Sequence, residues 1–513
     1  MAPIQKIELL LESSISISRK LLRCIASQLA VLMYNEKDKN MTDILSIPSA
    51  EQLFSYNNTD TPYYTTYPPG GEWNDNYSPS CLESDLQHLQ KNPSSDAALY
   101  LHVPFCEKLC YFCFCHTKII KDKNNSAVLQ TIQSIILEIN LYGDSFDNNL
   151  RPHIRQLQLG GGSPTYLSQK QLTTIVSTLR GSFDFSRLDE FAIEVDPRTL
   201  EVDDMLGLCE MGVNRVSLGI QDFDPAVQVA INRVQPVELV ANLLTSIDPS
   251  VSINFDLIYG LPHQTIESFN TTLEQCLSLD VDRLSVYCYD HTPEIYKHHA
   301  MMDSSVMPTK RQKIEMFLMA AEKLTSAGYV WVGVDHFAKK NDSLSIAKHD
   351  MKLGRTLNGY STFREYDSEF GIGPSAISSL PTSYIQNIKS LSEYSAAVQD
   401  KVFPVLRGWQ MSEDDLIRRR IIMQIILYAQ YALDDFEAEY GMCIFKYFEN
   451  LRRDIDKLII DGLIYFNNNI MLATPLGRYY IYHIAKAFDK YTVGRRHYIR
   501  THAAVKMLTP KSI

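Results

Sequence analysis

Tyr100-Leu101-His102-Val103-Pro104-Phe105-Cys106-Glu107-Lys108-Leu109-Cys110-Tyr111-Phe112-Cys113-Phe114-Cys115 decides how the rest of the chain is read. A short apolar run, Leu99–Val103, stops at Pro104. Three thiols then follow at C-x3-C-x2-C on the segment leaving it. Working outward, the same rhythm recurs at Gln156–Leu159, Phe191–Val195, Arg215–Leu218, Ser252–Ile258 and Arg283–Tyr287. Each run is short, ends near Gly, Asp or Pro, and is separated from the next by a helical pattern. Strands alternating with helices predict an α/β protein with a parallel sheet and crossover helices. Six units suit an open or partial barrel, with chemistry at the C-terminal ends of the strands.

Composition narrows the alternatives. The chain has 513 residues, too many for one small domain. There are 49 Lys+Arg against 60 Asp+Glu, for a formal charge of −11. That balance does not suit coating a phosphate backbone, so no nucleic-acid partner is expected. No run reaches the roughly 20 apolar residues of a spanning helix, so no membrane is expected. Leu21–Tyr34, with Leu22, Ile25, Leu29 and Met33 at helical spacing, reads as an amphipathic packing or partner helix. Six of ten cysteines are scattered and four fall at 106–115. This is the usage of a reducing, cytoplasmic protein with one metal or redox site, not of a disulfide scaffold.

The chain divides into a 1–60 N-terminal extension, a 61–95 tyrosine-rich segment, the 96–340 strand–helix series, a 341–410 loop-rich connection, a mostly helical 411–490 domain and a 491–513 tail. In the helical domain, Leu463–Phe466 and Ile470–Ala473 flank Asn467-Asn468-Asn469 and read as a β-hairpin. Helices followed by such a hairpin are winged-helix-like, here as a lid or structural subdomain.

Thiolates in this number hold iron–sulfur clusters, normally through four cysteines. Three would leave one iron open to a small chelating ligand. Zinc is the competing reading, without a His at finger spacing or a second C-x2-C pair; packed, unliganded thiols are the other. Gly160-Gly161-Gly162 after the second strand would let backbone approach a ligand, or simply make a tight turn. Glu194 and Asp256, at strand ends, suit an ammonium and a ribose diol, or are ordinary solvated carboxylates. Gln221 and Arg233 could take a ribose and a carboxylate.

The cysteine spacing after the first strand of such a series resembles the radical S-adenosylmethionine (SAM) superfamily. Gly160-Gly161-Gly162-Ser163-Pro164-Thr165, Glu194-Val195-Asp196-Pro197-Arg198, Gly219-Ile220-Gln221-Asp222-Phe223 and Asn254-Phe255-Asp256-Leu257-Ile258-Tyr259-Gly260-Leu261-Pro262 extend the likeness. So do Val334-Asp335-His336-Phe337-Ala338 and Thr474-Pro475-Leu476-Gly477-Arg478. Together they resemble oxygen-independent coproporphyrinogen III oxidases from about residue 60 to 490. The resemblance implies a partial (β/α)6 radical SAM barrel, with the tyrosine-rich segment covering the site. It implies a [4Fe–4S] cluster on Cys106, Cys110 and Cys113, and two SAM molecules. Tyr100, Gly161, Glu194 and Ile377 match positions around the first SAM, with Tyr100 and Glu194 carried over as catalytic. Phe112, Gly162, Ser163, Gln221, Arg233 and Asp256 match positions around the second, as does Asp290. Cys115 is not implied as an iron ligand.

Four positions depart from the family pattern: Ser163 for Thr, Asp290 for Ala, Asn358 for Gln and Tyr63 for Arg. The implied activity is anaerobic oxidative decarboxylation of two propionates of coproporphyrinogen III to vinyl groups, giving protoporphyrinogen IX. The implied partners are that substrate and a flavodoxin or ferredoxin as electron donor, acting on a monomer. Another radical SAM tetrapyrrole enzyme or methyltransferase, or a related heme chaperone, would share the architecture.

Overall fold

The computed structural model describes residues 49–55, 63–91, 96–357, 359–362 and 368–491. The amphipathic stretch Leu21–Tyr34, Asn358 and most of the 491–513 tail lie outside the described residues. By contacts the chain forms two compact units: 58–423 with 489–513, and 1–57 with 424–488.

The first unit is built on a sheet of twelve strands. Seven are parallel neighbours: β1 (Asp96–Val103), β2 (His153–Gly161), β3 (Glu190–Val195), β4 (Arg215–Gln221), β5 (Ser252–Tyr259), β6 (Arg283–Cys288) and β7 (Ser368–Ile372). Their order is β7-β1-β2-β3-β4-β5-β6. The six expected runs are β1 to β6. Antiparallel strands extend the sheet at both edges: His336–Lys339 and Tyr329–Trp331 beyond β6, and Ile377–Ser379, Ser383–Asn387 and Val405–Gln410 beyond β7.

Register explains which residues strands of this kind put where. Leu99, Leu157, Phe191, Val216, Phe255 and Leu284 share one face and are all buried. Amphipathic helices such as Ser126–Asp144, Gln169–Ser182 and Ile266–Ser278 bury apolar stripes between the strands. The alternate positions carry Tyr100, Gln158, Glu194, Ser217, Asn254 and Asp256 on the opposite face. A strand's period of two separates the two chemistries. The helices fill one face, and the other is left for polar contacts.

At the N-terminal end of that polar face the charges pair. Arg283, 3% exposed, donates to Glu190 at 3.0 Å and to Asp342 at 2.7 Å. Arg215 also reaches Glu190, at 3.2 Å. Burial pushes the Glu190 carboxyl up, but the two guanidiniums outweigh it and hold it below the usual carboxylate range.

The stretch 341–410, expected as loop-rich, instead carries β7, three further sheet strands and the helix Leu391–Gln399. The signal is weak because the strands are short and rich in Ser and Gly. Glu138, on the Ser126–Asp144 helix, ties this region down. It accepts from Gly373 N at 2.7 Å, from Asn387 Nδ2 at 2.6 Å and from the Tyr394 hydroxyl. Those donors hold its carboxyl down, but burial dominates and lifts it to about 7.

In the second unit the hairpin pairs Ile464–Asn467 with Ile470–Ala473. Asn468 and Asn469 both have positive φ, 48° and 62°, as a tight hairpin turn demands. Gln430–Ala432 adds a third strand on the Ile470–Ala473 side. No described helix is long and apolar enough to cross a membrane.

Removing Arg283 should expose what the buried pairing does. Arg283→Leu leaves two carboxylates without their shared cation and should cost roughly 3–5 kcal/mol. Glu190, depressed in the fold, stabilises above the ordinary carboxylate range and stops doing so as pH falls through its folded value. Thermal midpoints of wild type and variant should therefore lie far apart at pH 7 and converge at a pH well below the usual carboxylate range. An equal gap at both pH values would show that packing, not charge, is lost.

Candidate active site

The polar face ends, at the C-terminal ends of β1 to β5, in the residues singled out by sequence. Pro104 ends β1, and Phe105–Cys106 then pairs with Lys118–Ile119, which folds the cysteine segment into a closed loop. Cys106 and Cys113 are half-buried and Cys110 is buried. Arg198 Nη2 and Arg233 Nη1 each lie 3.4 Å from Cys110 Sγ. Asp196 holds both guanidiniums, at 2.6 Å and 3.2 Å. Burial drives the Cys106 thiol up to about 12, and the other two sulfurs add to it. Cys113 moves the other way, because the Cys115 thiol and amide both donate to its sulfur, the amide at 3.4 Å. Among the described residues no three Cys, His, Asp or Glu side chains are drawn together closely enough to hold one metal ion.

Glu194 sits beside this loop. Gln158 Nε2 donates to it at 3.0 Å and Gly161 N at 3.3 Å. Burial, and then the charge of Asp256, raise its carboxyl to about 7. Its charge also reaches Cys113, Cys115 and Tyr100. Gly160 makes this placement possible: a Cβ there would stand 2.6 Å from Glu194 Oε1. Gly161 has φ +110°, and its Cβ would strike the His102 ring at 2.8 Å. His102 Nε2–H donates to His116 O at 2.9 Å, so Nδ1 is the acceptor for the Tyr100 hydroxyl at 3.1 Å. Burial lowers this imidazole to about 4 and keeps it neutral.

Asp256 is oriented by Ser217 Oγ at 2.7 Å and Asn254 Nδ2 at 3.0 Å. Gln221, at the end of β4, has φ 69° and is 7% exposed; its Oε1 is buried with no hydrogen-bond partner. A buried carbonyl oxygen in that state is costly unless something donates to it. Arg233 is fixed by Gly219 O, at 2.6 Å from Nη2. Gly162 N and Ser163 N donate back to Val103 O and Phe105 O, at 2.8 Å and 2.9 Å. Phe112 packs with Cys110, Val227, Ile231, Leu261 and Tyr289.

Tyr100, Gly161, Glu194, Asp256, Arg233 and the thiols thus form one neighbourhood. Ile377 joins through backbone: Gly371, paired with Tyr100, would place a Cβ 2.2 Å from Ile377 O. Asp290 lies two residues beyond β6, and its charge acts on Tyr289.

Sequence reasoning assigned no role to Arg198 or Asp196, although both lie in a quoted motif. It also missed His298, whose Nε2 donates to Cys113 O at 2.7 Å from 185 residues away. In the tyrosine-rich segment, Tyr63 donates to Asp335 at 2.6 Å and Tyr64 to Asp489 at 2.8 Å. Burial opposes ionisation of Asp335, but His336 at 2.7 Å outweighs it and holds the carboxyl near 2.

Residues 100–276 match the Radical SAM superfamily. The oxygen-independent coproporphyrinogen III oxidase of Synechocystis sp. is 36% identical over 451 residues, covering 86% of this chain and 95% of the relative. That of Escherichia coli is 36% identical over 436 residues, covering 85% and 93%. The solved E. coli coproporphyrinogen III oxidase (HemN), described as a radical SAM enzyme, superposes with TM-score 0.79 at 35% identity, covering 84% of this chain and 97% of that one.

The opposite shifts of Cys106 and Cys113 have a chemical readout in the metal-free protein. With limiting iodoacetamide at pH 7.5, Cys113 should alkylate well before Cys106, because only the thiolate reacts. Peptide mapping by mass spectrometry gives the order. The reverse order would contradict the hydrogen bonding around Cys113.

Proposed function

The chain belongs to the oxygen-independent coproporphyrinogen III oxidase family, and on that premise we propose that it converts coproporphyrinogen III to protoporphyrinogen IX in heme biosynthesis without oxygen. Each of two propionates loses CO2, two electrons and one proton and becomes a vinyl group. The observation that carries this reading is the meeting of three thiols, Glu194 and a glycine turn at the C-terminal ends of β1 to β3.

Cys106, Cys110 and Cys113 would hold the [4Fe–4S] cluster. The donor set fits, being all thiol with two guanidiniums on one sulfur. When bound, the cluster and SAM supply one-electron chemistry that ends in a 5′-deoxyadenosyl radical able to abstract a hydrogen atom from substrate. The chain's own part is to bind, orient and exclude water. Glu194, fixed by Gln158 and Gly161 N, would take the SAM ammonium, and Tyr100 stands on the same face. Gly161 and Ile377 would complete that site. A second SAM is assigned to Phe112, Gly162, Ser163, Gln221, Arg233, Asp256 and Asp290. There Asp256 would take a ribose diol, and the unpartnered Gln221 oxygen a hydroxyl.

The finer architecture we assign is a partial (β/α)6 barrel with a winged-helix-like C-terminal domain, and a tyrosine-rich segment covering the site. A flavodoxin- or ferredoxin-type protein would supply electrons to a cytoplasmic monomer.

Anaerobic reconstitution with SAM, a reductant, an electron acceptor and coproporphyrinogen III tests the reaction. Mass spectrometry should find two successive losses of CO2 plus two hydrogens, and none with Cys106→Ala. 5′-Deoxyadenosine without decarboxylation would keep the radical enzyme and remove this substrate. Stable retention of heme by the purified protein would favour a carrier instead. Glu194 gives a second test. Its carboxyl, near 7 in the ligand-free site, must ionise to meet an ammonium. SAM affinity should therefore rise about tenfold from pH 6 to pH 8. Calorimetric titration should show that rise and its loss in Glu194→Gln; a flat wild-type profile would remove Glu194 from the ammonium.

A further inference from the structure

A polar cavity of about 30 Å³ lies in the first unit, lined by Thr65, Arg355, Glu369, Ser379, Tyr384 and Arg419 among others. Its size suits a carboxylate-sized group and is far too small for a macrocycle. Its walls come from elements that frame the candidate active site. Glu369 pairs with Ala98 and, across β7, with Ser379. It stands two residues before Gly371, the partner of Tyr100, on the same face. The negative charge of Glu369 is felt at Tyr100. Ser379 stands two residues after Ile377 on one strand. Thr65 comes from the tyrosine-rich segment.

One cation in this cavity, Arg419, differs from the other arginines drawn into the site. Arg198, Arg215, Arg233 and Arg283 all meet a carboxylate. Arg419 is half-buried on the helix Glu413–Tyr428 and, among the described residues, meets none. It donates to Ser379 Oγ at 3.0 Å and to Met411 Sδ at 3.8 Å, and its guanidinium lies 5.1 Å from the Tyr384 ring centre. A hydroxyl, a thioether and a ring orient the fork without neutralising it. Arg355 lines the same cavity, 5.9 Å from the Tyr63 ring centre and 5.0 Å from that of Tyr360, with Nη1 on the Tyr360 hydroxyl at 2.8 Å. Glu369 is the carboxylate in the lining, its Oε2 accepting from Leu357 N at 3.0 Å. Arg355 also shares its charge with Asp335, which leaves Arg419 as the lining cation that meets no carboxylate among the described residues.

We propose that this cavity binds a propionate carboxylate of the tetrapyrrole substrate, with Arg419 as its principal cation and Arg355 as the second. Guanidinium forks match carboxylates in shape as well as charge. One anchored propionate, reached from strand Ile377–Ser379, would fix the ring's orientation relative to Tyr100 and Glu194. The proposal rests on the tetrapyrrole reading above. SAM also carries a carboxylate, so the two sources must be separated.

Binding measurements on the full-length protein do this, with coproporphyrin III, its tetramethyl ester and SAM as probes, titrated against wild type, Arg419→Gln and Arg419→Lys. In Arg419→Gln, coproporphyrin III should bind about 10- to 100-fold more weakly. The ester should bind as it does to wild type, and SAM affinity should not change, which also shows the fold intact. Arg419→Lys should recover part of the loss. Unchanged binding of coproporphyrin III, an equal loss for the ester, or a loss on SAM instead would each overturn the assignment. Wild type that binds SAM but no coproporphyrin III would overturn the substrate reading and this inference with it. That outcome is told apart from the others because it precedes any substitution.

Discussion

A polar sheet face that is also buried is the constraint on which the first unit depends. Unpaired polar groups away from water cost free energy, and unpaired charges cost much more. The strands must therefore either pair these groups internally or present them to a ligand. Both solutions are used, at opposite ends of the same strands. At the N-terminal end, Glu190, Arg215, Arg283 and Asp342 pair their charges. At the C-terminal end, pairing is incomplete. Gln221 Oε1 has no partner, and Glu194 is held by one amide side chain and one backbone N–H. The closed end gives the sheet rigidity, and the open end leaves binding capacity unspent.

Much of this was legible in the sequence because it is local. Six strand runs, the C-x3-C-x2-C spacing, the Gly160–Gly162 turn and the Asn-rich hairpin are each carried by neighbouring residues with a distinct chemistry. Glu194 and Asp256 could be found because a carboxylate at the end of an apolar strand stands out. The pattern could not say that Glu194 needs Gly160 to be a glycine, since that follows from how close β2 and β3 lie.

The rest was hidden for a physical reason. β7 reads Ser368-Glu369-Phe370-Gly371-Ile372, with a carboxylate and a glycine on the polar face, so it lacks the β-branched run that announces a strand. Yet that glycine is what admits Ile377 beside Tyr100. Arg198 and Arg233 gain meaning only when the fold lays both on Cys110, 88 and 123 residues away in the chain. Asp196 is visible in a motif, but its work is to align two cations at once. Long-range polar contacts leave no periodic trace, so they are found by geometry.

The two-guanidinium motif around Asp196 also argues for how the thiol loop is kept competent before any metal arrives. Three neighbouring thiolates would repel one another, and burial drives Cys106 far toward its neutral form. Cys115 counters this at Cys113 by hydrogen bonding, and Arg198 and Arg233 lie against Cys110. Asp196 keeps the cations in place without cancelling both. The three sulfurs therefore stand in three different surroundings, and Cys106 is the one that burial keeps neutral. On this argument Cys115 has a role as the donor to the sulfur of Cys113 beside it.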